Sequence, residues 1–331
     1  MNAKISLAHG SGGKLMHNLI KDVFLAQLGN PILKPLRDSA VIELGGTKIA
    51  FTTDSYVVNP IFFPGGDIGE LAVCGTVNDL AVMGAKPLYI SCSYIIEEGF
   101  EYNELAKITV SVSKAANASG VFVVTGDTKV VEKGKGDKIF INTSGIGICE
   151  YGFKEIEVGD KILINGGIGE HEIAILTARG GLDFDVQIKS DCAPLVELIS
   201  QVLKGTPLVK FMRDPTRGGV ATVLNELVEG MQFGIMIYEN AIPMKPEVNG
   251  VCALLGFDPL YLANEGKVIL VVGGSDANRV LNLMRTHELG KEAQIIGEVV
   301  ASPVGKVCMK TQIGGTRIVD MLVGEQLPRI C

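Results

Sequence analysis

The 331-residue sequence has no Cys-x-x-Cys pair, and its seven cysteines, at positions 74, 92, 149, 192, 252, 308 and 331, are scattered and odd in number. That excludes a zinc ribbon and a disulfide framework. Most of them keep apolar company, as Cys74 does in Leu71-Ala72-Val73-Cys74, and read as small core hydrophobes in a reducing cytoplasm. A basic excess is also missing. The formal net charge is −7 and no cluster of Lys and Arg occurs, so no nucleic-acid partner is expected. No stretch reaches the about 18 uninterrupted apolar residues that a membrane span needs. The opening residues lack an apolar run of signal-peptide length, so no export is expected. No long polar tract interrupts a composition that is 47% hydrophobic and 20% charged, which is the profile of a compact, soluble, cytoplasmic protein.

The length exceeds what one core usually supports, so two domains are expected. Residues 1–37 read as a glycine-rich segment followed by a helix over 15–28, where Leu15, Leu19, Val23 and Leu28 share a face and Gly29-Asn30-Pro31 ends the pattern. The first domain spans 38–152. It holds a strand from Thr47 to Thr53 that ends at Asp54, a helix over 67–84, a strand over 87–96, a helix over 101–118, and strands over 121–124 and 138–148. A charged, glycine-punctuated stretch over 151–160 marks the boundary. The second domain spans 153–322 and again mixes helices and strands, including a helix opened by Asp214-Pro215 with Val220, Val223, Leu224, Leu227 and Val228 on one face. Residues 323–331 form a tail, expected to be mobile, that ends on Cys331 and would reach roughly 30 Å if extended. The fold class is mixed α/β, with α+β mixed sheets.

Asp79 is the sharpest anomaly. It lies in a helix apolar all round, where an unpaired carboxylate is costly, so it wants a cation, either a metal or a Lys or Arg partner. Asp38, Asp54, Asp127 and Asp214 stand at the ends of other elements, which suits magnesium with its oxygen ligands, although each also suits a turn or helix cap. His9-Gly10-Ser11-Gly12-Gly13-Lys14 precedes a helix and offers free backbone N–H groups to a phosphate chain, or is simply a flexible leader. It is not a Walker loop, which would need Gly at Ala8 and a hydroxyl at Leu15. Arg217, next to Gly218-Gly219, adds a guanidinium for an anion. Lys129 and Glu265 are candidates for proton transfer, with surface turns as the competing reading. His171-Glu172 lacks the second histidine of a zincin and is set aside.

Taken in order, His9-Gly10-Ser11-Gly12-Gly13-Lys14, Thr53-Asp54-Ser55-Tyr56, Asn78-Asp79-Leu80, Thr125-Gly126-Asp127-Thr128-Lys129-Val130-Val131, Arg213-Asp214-Pro215-Thr216-Arg217-Gly218-Gly219, Asn264-Glu265-Gly266-Lys267 and Pro328-Arg329-Ile330-Cys331 resemble the HypE family of hydrogenase maturation proteins. The glycine and aspartate elements alone are shared with the wider PurM-like superfamily of aminoimidazole ribonucleotide (AIR) synthase. The resemblance implies a two-domain PurM-like enzyme whose N-terminal domains pair in a homodimer. It also implies ATP-dependent dehydration of a carbamoyl group on the Cys331 thiol to a thiocyanate, the source of the cyanide ligands of [NiFe] hydrogenases. A HypF-type carbamoyltransferase would load the thiol, and a HypC–HypD complex carrying iron would receive the cyanide. Asp38, Asp79 and Asp214 would hold Mg2+. Lys14, Gly12, Gly13, Asp54, Asn78, Asp79, Gly126, Asp127, Thr128 and Arg217 would bind ATP, and Lys129 and Glu265 would act beside Cys331. Members of the wider superfamily often carry Asp-Asp-Ala-Val where this chain reads Asp38-Ser39-Ala40-Val41, which leaves one carboxylate there. Two rival readings are a small-molecule kinase or ligase of the same superfamily and a nucleotide-sensing adaptor whose tail is a docking peptide.

Overall fold

A computed structural model describes residues 4–180, 187–324 and 330. Alternating Ile, Val and Phe with small polar residues builds the strands of a first sheet: β1 (Ala40–Leu44), β2 (Thr47–Tyr56), β5 (Ala85–Glu97), β6 (Phe122–Thr125), β7 (Thr128–Val131) and β8 (Ile139–Cys149). Their order is β1-β2-β8-β5-β6, with β7 pairing β5 beyond β6. The strands β3 (Phe62–Phe63) and β4 (Gly66–Asp67) form a separate short hairpin. The inner face carries the helix Ile68–Val82 and, against it, the helix Tyr102–Ala118. Asp67 caps the first of these by accepting from the N–H of Gly69 at 2.7 Å and of Glu70 at 3.1 Å.

The outer face of this sheet is open. In register across four strands, Phe51, Ile146, Tyr89 and Phe122 form one apolar row, and Phe122 is 70% exposed. Beside that row runs a polar one of Thr53, Ser144, Ser91 and Thr125.

The second sheet has the order β10-β12-β9-β13-β11-β14-β15. These strands are β9 (Lys161–Ile164), β10 (Val209–Arg213), β11 (Gly234–Tyr238), β12 (Ile269–Val272), β13 (Gln294–Val300), β14 (Val307–Lys310) and β15 (Thr316–Ile318). It is covered on both sides: Ile162, Ile164 and Val271 pack with the helix Gly219–Val228, while Leu163, Leu270 and Val272 pack with Val202, Val280 and Met284. Ala81 and Val82 at the end of the helix Ile68–Val82 join this second cluster, so that helix links the two sheets.

Several expectations change. β2 runs on through Asp54 to Tyr56, so Asp54 projects from within a strand. Asp214 does not cap a helix. The helix starts at Gly219 behind Gly218, whose φ of 77° places it in the left-handed region, and Asp214, Thr216 and Arg217 lie in the preceding loop. The sequence pattern over 305–319 suggests one strand, but the stretch divides into β14 and β15 at a turn closed by Thr311 and Gly315. The helix over 15–28 runs from Lys14 to Leu28 with a π-helical segment over Ile20–Leu25, and none of its residues is buried. No helix among the described residues is long and apolar enough to cross a membrane.

Candidate active site

Three carboxylates from distant parts of the chain, Asp38, Asp79 and Asp214, place oxygen atoms within 4.8 Å of one another. Asp38 sits just before β1, Asp79 on the helix Ile68–Val82, and Asp214 just after β10. Thr52 from β2 donates to Asp79 Oδ2 at 2.7 Å, and Ser39 donates to the Asp79 carbonyl at 2.9 Å. Arg213 donates through Nε to Asp38 Oδ1 at 2.7 Å and through Nη1 to Glu226 at 2.6 Å. Burial opposes the Arg213 charge, but Asp38 and Glu226 outweigh it and hold the guanidinium above its usual value.

Burial and mutual repulsion raise the other two carboxylates. Asp79 is pushed well up by desolvation and then by Asp54, Asp214 and Asp38. Desolvation, with Asp38 next, pushes Asp214 up to about 8. Such a set of hard oxygen donors could hold a divalent cation, whose charge would offset both penalties.

Two cavities adjoin here and share Asp79, Asp214, Thr216 and Arg217. One continues to Gly12 and Gly13, the other to Asp54, Tyr56 and Glu265. The glycines of the leader have a packing reason. A Cβ on Gly12 would come within 2.5 Å of the Arg217 carbonyl oxygen, and one on Gly13 within 2.4 Å of that of Leu322. Arg217 Nη1 donates to the Gly10 carbonyl at 3.1 Å, so leader and loop form one wall. Asp54 is raised by desolvation, against which Arg217 acts.

Glu265 is 3% exposed, and its Oε1 has no hydrogen-bond partner among the described residues. Desolvation first, then Asp214, Asp191 and Asp54, hold its carboxyl well above the ordinary range. Its backbone is held by Asp191, which accepts from the N–H of Glu265 and of Gly266 and pairs with Lys267 at 2.9 Å.

The remaining expected site residues stand apart from this cluster. Asn78 bridges the two halves of the molecule: its amide donates to the carbonyls of Ala193 at 3.1 Å and Glu265 at 3.4 Å, and accepts from Leu195 N–H at 2.7 Å. The backbone N–H of Lys14 donates to the Leu322 carbonyl at 2.8 Å, while its side chain is exposed. Gly126, Asp127, Thr128 and Lys129 lie on the exposed edge formed by β6 and β7. A Cβ on Gly126 would come within 2.0 Å of the Cys92 carbonyl oxygen, so the crossing from β6 to β7 requires glycine. There Lys129 pairs with Asp127 at 2.7 Å.

Cys331 lies outside the described residues. Its neighbour Ile330 is buried at 6% exposure in the apolar cluster that also contains Phe63, Ile175, Cys192 and Ala263.

Sequence reasoning passed over Arg213 and Thr52, although Arg213 directly precedes Asp214. It also dismissed His171, whose signal was its setting: a histidine between Glu170 and Glu172 at the start of the helix Glu170–Ala178, which is buried from Glu170 through Leu176.

Comparison with known proteins converges on the same reading. Residues 36–149 match the AIR synthase related protein N-terminal domain, and residues 157–310 match the AIR synthase related protein C-terminal domain. The carbamoyl dehydratase HypE of Cupriavidus necator is 48% identical, covering 100% of this chain and 95% of that protein. The crystal structure of a HypE–HypF complex contains a chain 49% identical with a TM-score of 0.87, covering 92% of this chain and 99% of that one. A structure of the hydrogenase maturation protein HypE in complex with ATP is 46% identical with a TM-score of 0.82, covering 99% and 100%. With both halves and the full length accounted for, the chain belongs to the HypE family of carbamoyl dehydratases, in the PurM-like AIR synthase related fold.

Proposed function

We propose that the chain carries a carbamoyl group on its own terminal thiol, Cys331, and dehydrates it with ATP to a thiocyanate for hydrogenase maturation. One observation carries this reading. Asp79 and Asp214 of the carboxylate cluster line a cavity together with Tyr56 and the buried Glu265, and Ile330 is buried in the apolar cluster that contains Tyr56 and Ala263, two residues before Glu265.

The chemistry sets the requirements. A carboxamide oxygen does not depart as hydroxide, so it must first take a phosphoryl group and leave as phosphate while both nitrogen protons are removed. The balance is thiocarbamate plus ATP giving thiocyanate, ADP and phosphate: the C–O bond breaks and a C≡N bond forms. Magnesium, when bound, supplies charge neutralisation for the triphosphate. Asp38, Asp79 and Asp214 hold that cation, and Gly12, Gly13 and Arg217 line the side of the cleft suited to phosphate oxygens. Glu265 takes a proton, because a carboxyl pushed upward by burial is a stronger base once ionised than one at the surface. Lys129 polarises the carboxamide oxygen.

Lys129 belongs to a neighbouring copy. In our reading the apolar row of Phe51, Ile146, Tyr89 and Phe122 is the homodimer face, and pairing there brings the Gly126–Lys129 edge of one protomer to the site of the other. Residues 38–152 and 153–322 act as two domains, and 323–331 as the delivery arm. A HypF-type enzyme loads the thiol in the reducing cytoplasm, and a HypC–HypD complex takes the cyanide.

Mass spectrometry of the intact protein with ATP, magnesium, a HypF-type partner and a carbamoyl donor tests this. The expected result is a carbamoyl adduct on Cys331 that then loses one water only when ATP can be cleaved. ATP cleavage without any mass change at Cys331 overturns the proposal.

A further inference from the structure

His171 does no work in the chemistry above, yet it is fully buried, and each of its ring nitrogens has a partner. Nε2 lies 2.7 Å from the carbonyl oxygen of Ile330. A carbonyl oxygen only accepts, so Nε2 carries the proton. Nδ1 lies 2.8 Å from Ser190 Oγ. Burial first lowers the His171 pKa, so the ring is neutral and Nδ1 accepts from the Ser190 hydroxyl. That hydroxyl in turn accepts from the N–H of Cys192 at 3.0 Å, and the Ser190 N–H donates to the Pro64 carbonyl at 2.8 Å. Phe63 closes the ring edge-on at 5.6 Å. Of the groups in this network, Ile330 alone comes from the C-terminal end of the chain.

The carbonyl that Nε2 holds belongs to the peptide unit joining Ile330 to Cys331. Among the described residues it is the partner of that N–H, so a cleft without Ile330 in place would leave a donor buried and unsatisfied. The adjacent residue, Asp191, fixes the backbone of Glu265 and Gly266. One short segment, Ser190 to Cys192, therefore braces both the last peptide carbonyl and the backbone of the proposed base.

We propose that His171, oriented by Ser190, is a positioning residue that latches the Ile330–Cys331 peptide and so seats the loaded thiol for dehydration. The proposal rests on the reading of Cys331 as the carrier. Its test does not need that chemistry.

The full-length protein is treated with iodoacetamide, and alkylation is followed on the C-terminal peptide and, as a control for general loosening, on the half-buried Cys149. In the His171→Leu variant, alkylation of Cys331 rises roughly fivefold to tenfold, the scale of one lost hydrogen bond, while Cys149 is unchanged. His171→Gln, whose amide can donate where Nε2 does, restores most of the protection. Dehydration of the carbamoylated protein slows by a similar factor in His171→Leu and recovers in His171→Gln. Should His171→Leu fail to fold, Ser190→Ala decides the matter, with a rise of roughly twofold to threefold expected from loss of the ring's orienting bond. Unchanged Cys331 alkylation, or an equal rise at Cys149, overturns the latch. Altered alkylation without any dehydration would instead retain the latch and overturn the carrier reading.

Discussion

Two acidic motifs that both follow strands end in opposite surroundings. Asp214, after β10, turns inward and meets Asp38 and Asp79 within 4.8 Å. Asp127, between β6 and β7, turns outward and pairs with Lys129 on a sheet edge where both side chains are more than half exposed. The difference follows from the sheets that carry them. The second sheet is covered on both faces, so the loop after β10 runs into the cleft between the halves. The first sheet is covered on one face only, and its open face carries the apolar row through Phe122. One copy of the chain thus gathers three carboxylates in its cleft and leaves the Asp127–Lys129 pair on an exposed edge of a sheet whose open face is apolar.

The sharpest way to break this contrast is to remove a charge from the inward cluster. Asp79→Asn or Asp214→Asn should lower ATP turnover at least ~100-fold, in line with loss of a group that organises transition-state charge. Both should also abolish stabilisation by magnesium in thermal melts. The pH dependence has a definite sign. Asp214 is raised to about 8 and Asp79 is raised as well, so the folded chain keeps protons that the unfolded chain releases near pH ~4. Without the cation, stability therefore falls as pH rises through that window. Magnesium should raise Tm more at pH 8 than at pH 6, and equal shifts would speak against the cluster as its site.

On the outward side, if the open face is the dimer interface we propose, Phe122→Glu should give a monomer by light scattering and reduce turnover at least ~10-fold, because a charge at the centre of an apolar interface is not tolerated. Its melts should still respond to magnesium. A fully active monomer would remove the reason for linking the two regions.

The smallest effect concerns a buried carboxylate outside both regions. Burial pushes Glu172 up to about 7, while its Oε2 accepts from Ala263 N–H at 2.7 Å. Ionisation thus costs the folded state stability as pH rises from the unfolded value. Relative to the native chain, Glu172→Gln should gain roughly 2–3 kcal/mol above pH 7 and nothing at acid pH. Magnesium should leave that difference untouched, which separates it from the cluster.

Much of this was readable from residues. Asp79 announced itself as the charged exception in an apolar helix, and the strands of the first half follow their alternation closely. Asp214 and Arg217 were singled out from the sequence and both line the cavity, but they were placed at a helix start, because Asp-Pro is a common helix start and the left-handed φ of Gly218 that delays the helix is invisible in local pattern. The open face of the first sheet was not legible either. Alternation tells which residues share a face, as Phe51 and Thr53 do, but not whether anything covers it. His171 was lost for a related reason: its partners, Ser190 and Ile330, are 19 and 159 residues away, and no spacing rule reaches that far. Asn78 shows the converse, a residue singled out beside Asp79 whose amide is spent on joining the two halves.

The measurement that goes most directly to the proposed shared site is to mix two variants expected to be inactive, Asp79→Asn and Lys129→Ala, after exchange of subunits. If each cleft takes its aspartates from one copy and its lysine from the other, a mixed dimer carries one intact site, and random pairing should restore about a quarter of native dehydration activity. If no activity returns although mass spectrometry shows mixed dimers, Lys129 serves the cleft of its own chain or none, and the division of labour between the two regions is wrong.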